Sequence, residues 1–148
     1  MHLSQSFDYI ERYLAKLWRS DDVGRQFEHV TFNEYDYLKA VQHLGQPRLS
    51  DLAAEMRVQK SSASTMVAKL ERRDLLKRTP CADDRRSTRI SLTRQGEALM
   101  ALEDKLFGDM TRKICAAMSE EEYQILETLL DKACRCLQDN TRVKSTPD

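Results

Sequence analysis

Leu52-Ala53-Ala54-Glu55-Met56-Arg57-Val58-Gln59-Lys60-Ser61-Ser62-Ala63-Ser64-Thr65-Met66-Val67-Ala68-Lys69-Leu70 is the stretch on which the fold turns. Its first part reads as a short helix from Leu49 or Ser50 to Met56, burying Leu49, Leu52, Ala53 and Met56. The pattern breaks at Arg57-Val58, and a second helix runs from about Lys60 to Arg73. Ala63, Val67 and Leu70 fall at i, i+4 and i+7 and form its inner face. The outer face, Ser61, Ser64, Thr65, Ala68 and Arg72, is small, polar or basic. Leu75-Leu76 closes the unit.

Beyond Leu76 the hydrophobic period changes to two. Thr88-Arg89-Ile90-Ser91-Leu92 alternates as a half-buried strand does, and Pro80 confines the preceding strand to an edge. Between them Ala82-Asp83-Asp84-Arg85-Arg86 makes a charged loop, so the segment is a hairpin with a basic tip. On the N-terminal side, Thr31 with Glu34 is a capping box opening a helix whose apolar face is Tyr35, Leu38 and Val41. Gly45-Gln46-Pro47 ends it.

The outermost segments are long and amphipathic. Residues 4–26 read as a helix with Phe7, Ile10, Leu14 and Leu17 at helical spacing, widened by Tyr13 and Trp18. Thr93 caps a helix striped by Leu99, Leu102, Leu106, Met110 and Ile114. Ser119 with Glu122 opens a last one carrying Tyr123, Leu126, Leu130, Ala133 and Leu137. Residues 140–148 are polar and expected to fray. The fold class expected is mainly α with a small β-hairpin wing, a winged helix-turn-helix over about 31–92. It forms a single domain of 148 residues with helical flanks at about 4–26 and 93–138. That compact unit does not need the flanking stripes, so a second copy of the chain is the expected cover.

Net charge is zero, yet the charge is segregated. Residues 57–94 hold eleven Lys/Arg against four Asp/Glu, or +7; the remainder holds thirteen against twenty, or −7. A basic segment between acidic flanks suits a polyanion. At the start of the second helix Gln59, Lys60, Ser61, Ser62, Ser64 and Thr65 let a backbone approach base edges in a major groove. Lys69, Arg72 and Arg73 further along suit phosphates, and Arg85-Arg86 at the hairpin tip suits the negative potential of a minor groove. Double-stranded DNA is the expected partner.

Other classes find less support. No Gly-rich phosphate loop, GxSxG elbow or nucleophile–His–carboxylate spacing points to an enzyme. A winged helix serving as a protein-interaction module without DNA would need apolar residues where Ser, Thr and Lys stand. No apolar run approaches the ~20 residues of a membrane span and no secretory leader is evident, so a cytoplasmic protein is expected. Cys81, Cys115, Cys134 and Cys136 are too scattered for a disulfide framework and lack metal-ligand spacing with His2, His29 or His43, so neither cofactor nor metal is expected. Cys81 lies near Lys77, Arg78 and Arg85, and neighbouring cations favour the thiolate that oxidants attack, which makes it the redox candidate. Tyr13, Trp18 and Tyr37 are the candidates for lining a pocket for a small aromatic ligand.

Several motifs carry a resemblance. Leu52-Ala53-Ala54-Glu55-Met56-Arg57-Val58, Lys60-Ser61-Ser62-Ala63-Ser64 and Leu70-Glu71-Arg72-Arg73-Asp74-Leu75 are followed by Asp84-Arg85-Arg86-Ser87 and Ser91-Leu92-Thr93-Arg94-Gln95-Gly96. Together they resemble the multiple-antibiotic-resistance regulator (MarR) family, the Asp-x-Arg wing with Leu-Thr-x-x-Gly being the most specific part. The resemblance implies a homodimer with interlocked terminal helices and a pseudo-palindromic operator. It also implies a repressor released by a ligand or oxidant. It places Arg86 in the minor groove, Asp84 orienting the wing arginine, and Lys60 to Thr65 in the major groove. Three positions depart from the pattern: Arg57 where the turn usually has Gly, Gln59 where Ser or Thr often caps, and Asp74 where Gly ends the recognition helix.

Overall fold

The computed structural model describes residues 1–19, 25, 29–84 and 86–142, with side chains up to residue 138. The element order is α1 (Leu3–Trp18), α2 (Phe32–Leu44), α3 (Leu49–Met56), α4 (Lys60–Arg72), β1 (Leu76–Pro80), β2 (Thr88–Leu92), α5 (Arg94–Ala116) and α6 (Glu120–Arg142). This is a winged helix-turn-helix with helical flanks. The chain parts into two compact units, Met1–Lys105 and Leu106–Asp148. The second part of the expected 4–26 helix and most of the tail expected to fray lie outside the described residues.

The first unit is built around one apolar core, drawn from α2, α3, α4, the hairpin and the start of α5. Leu38, Leu52, Ala63, Val67 and Leu70 have no exposed surface. The Thr31–Glu34 box closes as expected: Thr31 Oγ1 accepts the Glu34 N–H at 3.2 Å, and the Glu34 carboxylate accepts the Thr31 N–H at 2.9 Å. Gly45, at φ 64°, then stops α2 in the left-handed conformation that glycine adopts most cheaply.

The face that α2 buries differs from the expected one. Glu34, Tyr37, Leu38 and Val41 are enclosed, while Tyr35 is only half-buried. Positions 34, 37, 38 and 41 are i, i+3, i+4 and i+7, an unbroken helical stripe with a carboxylate in its first place.

Between α3 and α4 the chain turns through Arg57 at φ 54°, whose neighbour Val58 donates its N–H back to the Ala53 carbonyl at 3.0 Å. That left-handed residue is where glycine is commonest, so Arg57 holds the turn at a modest conformational cost. Asp74, at φ 56°, does the same after α4, as its tolerance of that region predicts. Gln59 precedes α4 without a side-chain cap; its carbonyl accepts the Ala63 N–H at 3.1 Å.

β1 and β2 pair antiparallel from Leu76↔Leu92 to Pro80↔Thr88, which puts Pro80 at the last rung of an edge strand. On its other side β2 is held by the Pro47 carbonyl, which accepts the Ile90 N–H at 2.9 Å. In the second unit, Ser119 and Glu122 form the expected capping box at the start of α6. Among the described residues no helix is long and apolar enough to cross a membrane, and no cluster of three or more His, Cys, Asp or Glu is placed to hold a metal.

Candidate nucleic-acid interface

α4 is two-faced. Its inner residues Ala63, Val67 and Leu70 are sealed against α2, α3 and the hairpin, and this fixes the roll of the helix. The opposite side therefore faces water: Lys60, Ser61, Ser62, Thr65 and Arg72 are exposed, and Ser64 and Ala68 half-buried. Gln59, immediately before the first turn, is exposed too. Thr65 Oγ1 donates to the Ser61 carbonyl one turn earlier at 3.0 Å, which leaves Ser61, Ser62 and Ser64 as the short hydroxyls at the helix start.

The wing tip is ordered by its own backbone. Cys81 N–H donates to the Ser87 carbonyl at 2.9 Å, and Ser87 N–H to the Asp84 carbonyl at 3.0 Å. The Asp84 carboxylate accepts the Arg86 N–H at 2.9 Å, so Asp84 positions Arg86 through the main chain rather than through its guanidinium. Asp84 and Arg86 are exposed; Arg85 lies outside the described residues. Cys81 is half-buried at the base of this loop. Of the cations expected beside it, Arg78 is paired with Glu71 at 3.2 Å.

Two cations assigned from sequence to phosphate contacts are engaged elsewhere. Lys69 Nζ lies 2.8 Å from one Glu34 carboxylate oxygen, and Arg73 Nη1 lies 2.5 Å from the other. Arg73 also donates to the His29 carbonyl. Glu34 is 1% exposed. Burial alone pushes its carboxyl up, but Lys69, the Thr31 N–H and Arg73 more than offset this and hold it down at about 2. The sequence showed Glu34 only as a capping residue. Its partners lie 35 and 39 positions away, where no local pattern reports them.

A cavity of about 690 Å³ opens between α1 and the start of α2. Trp18, Leu14, Val30, Phe32 and Tyr35 give it apolar and aromatic walls, and Glu11, Arg19 and Glu103 charged ones. Trp18 meets Tyr35 edge to face, ring centroids 5.3 Å apart. Burial raises the Tyr35 phenol, and the negative charge of the nearby Glu103 raises it further. Glu103 in turn pairs with Lys39, whose ammonium sits 5.8 Å from the Tyr35 ring centre. Of the three aromatic residues expected to line a pocket, the structure brings Trp18 to this cavity. Tyr13 is half-buried on α1 and not part of its wall, and Tyr37, 3% exposed, belongs to the core. Tyr35 takes the place expected of Tyr37, because the buried stripe of α2 starts at Glu34.

Comparison with known proteins agrees with this architecture. The MarR family model matches residues 30–88, from the entry of α2 to the wing. Among solved structures, Streptococcus pneumoniae FabT in complex with DNA is similar at 22% identity and a TM-score of 0.63, over 90% of this chain and 98% of that one. S. aureus MepR bound to ethidium bromide is similar at 22% identity and a TM-score of 0.68, over 93% and 97%. Transcriptional regulator Tm0710 from Thermotoga maritima is similar at 25% identity and a TM-score of 0.60, over 93% and 98%. At these identities the structural likeness speaks for the fold, and the family model speaks for the lobe that carries the interface. Residues 30–88 thus match the MarR family, and the chain as a whole shares the winged helix-turn-helix fold of these solved structures.

Proposed function

We propose that the protein is a cytoplasmic, sequence-specific regulator of double-stranded DNA. In this reading it acts as a homodimer, represses from a pseudo-palindromic operator, and is released by a small ligand or an oxidant. The observation that carries the DNA assignment is the two-faced α4, with Ala63, Val67 and Leu70 at 0% exposure beneath an exposed face of small hydroxyls and a lysine. Such a face lets the helix backbone come close to base edges, and the N-terminal end of the helix favours a phosphate. Gln59, Lys60, Ser61, Ser62, Ser64 and Thr65 read the major groove. Asp84 shapes the tip that carries Arg86, with Arg85 beside it in sequence, into the adjacent minor groove.

The dimer is supported by apolar side chains left in water by each unit taken alone. Phe7 on α1 is 54% exposed, and Ile125, Leu129 and Leu137 on α6 are 60%, 59% and 69% exposed. Release is supported by the aromatic cavity at Trp18 and Tyr35, which suits a planar ligand, and by the relative MepR seen with ethidium. Cys81 at the base of the wing is the alternative trigger.

Selection of bound fragments from genomic DNA, followed by salt-titrated binding, tests the reading. A recurrent two-fold site with salt-sensitive affinity is expected. Absence of sequence preference together with absence of salt dependence favours a protein-interaction module instead. Repeating the titration with peroxide, and with Ser replacing each cysteine in turn, separates an oxidant from a ligand as the trigger.

A further inference from the structure

We infer that Glu34 is a specificity-determining residue: by holding Lys69 and Arg73 it withholds two recognition-helix cations from DNA phosphates. The inference rests on the proposal above that α4 enters the major groove. Lys69 lies one turn beyond Thr65, and Arg73 follows the last turn, so sequence alone counts both as phosphate contacts. The fold turns the charged ends of both towards Glu34 instead, although half of the Lys69 side chain stays in water. Each takes a different oxygen of one carboxylate, at 2.8 Å and 2.5 Å, and that carboxylate has 1% of its surface exposed.

Unlike Arg78, whose partner Glu71 is about a third exposed, these two cations share a carboxylate sealed from water, and that matters for binding. The electrostatic affinity of a protein for DNA grows with each phosphate it neutralises and is blind to sequence. A cation committed to a buried carboxylate adds nothing to that term unless the pair opens, which would strand the carboxylate in the core. Glu34 therefore lowers the sequence-independent part of DNA affinity and leaves the groove-reading hydroxyls untouched. Specificity, the ratio of cognate to non-cognate binding, rises accordingly. The same carboxylate caps α2 beside Thr31 and Phe32 of the cavity wall, so the restraint on the two cations is anchored at the cavity's edge.

The experiment measures the salt dependence of binding to the operator and to a scrambled duplex, for wild type, Lys69→Gln, Lys60→Gln and Glu34→Gln. Lys60→Gln is expected to reduce the slope of log affinity against log salt by about 0.9 per chain, as loss of one phosphate contact does. Lys69→Gln is expected to leave the slope unchanged. Glu34→Gln is expected to steepen it and to tighten binding to the scrambled duplex more than to the operator. Thermal unfolding of each variant identifies any that fails to fold; if Glu34→Gln does, the Lys69→Gln comparison decides alone. A Lys69→Gln slope reduced as much as that of Lys60→Gln overturns the inference and leaves the DNA reading standing. Wild type that binds neither duplex overturns both.

Discussion

The hydroxyl of Thr93 donates to the carbonyl of Asp74 at 2.5 Å, and the same oxygen accepts the Gly96 N–H at 3.1 Å. Thr93 N–H adds a bond to the Leu75 carbonyl at 3.1 Å. The turn after α4 and the beginning of α5 are thereby clasped in one corner. Gly96 is what lets them close: a Cβ there would overlap the Leu75 carbonyl oxygen and press on the Leu92 side chain at 3.2 Å. Because the obstacle is backbone, no rotamer change relieves it. Gly96→Ala is expected to destabilise the protein by about 1–3 kcal/mol, as overpacking does, read from the midpoint of urea unfolding. An unchanged midpoint would show that the corner yields.

Dimerisation should be visible by mass. Sedimentation at micromolar concentration is expected to give twice the 17.2 kDa of the chain. Replacing both Ile125 and Leu129 by Glu is expected to yield monomers, since a charge on a buried apolar contact is strongly unfavourable. A folded wild-type monomer at that concentration would contradict the proposal.

Wing and helix should fail differently. Arg86→Ala is expected to weaken binding to all duplexes and to lower the salt slope by about one per chain. Ser61→Ala and Ser64→Ala are expected to change which sequences are selected, with little change in slope. If Arg86→Ala leaves affinity and slope at wild-type values, Arg86 does not enter the groove.

Glu34 ties stability to pH. Its carboxyl is held at about 2 against an ordinary 4.5, because the pairs with Lys69, Thr31 and Arg73 outweigh its burial. A depressed carboxyl stabilises the fold fully above 4.5, and that contribution is lost as pH falls from 4.5 towards 2. The gap corresponds to about 3 kcal/mol at neutral pH. Unfolding free energies of wild type and Glu34→Gln should therefore differ at pH 7 and converge over that acid window. A difference that stays constant down to pH 2 would mean that the ion pairs contribute nothing net.

Much of the fold is written in short-range patterns. Both capping boxes, the Ala63–Val67–Leu70 face and the hairpin follow from spacings of two to seven residues, which one helix turn or one strand pair enforces. The phase of α2 was not legible. A glutamate in the first place of a buried stripe looks like solvent-facing charge until Lys69 and Arg73 are brought to it, which hides the stripe through Glu34 and Tyr37 behind the one through Tyr35. The candidate interface was legible as composition, in the small hydroxyls and the basic tip. It was not legible as a count of available cations, because Glu34, Glu71 and their arginine and lysine partners meet only in the folded lobe.

The carbonyl of Pro47 against Ile90 also decides how neighbouring molecules meet. A two-stranded ribbon has two open borders, and each invites a foreign strand to add itself. Along β2 the border is occupied at its middle by a residue that has no N–H of its own with which to continue a ladder. Along β1 the border presents exposed Lys77 and Arg78 and finishes at Pro80. A strand arriving from another chain finds the Ile90 N–H of β2 already taken on one side, and on the other exposed Lys77 and a proline with no N–H to offer. Both borders of the hairpin thus discourage the addition of a further strand from a second molecule.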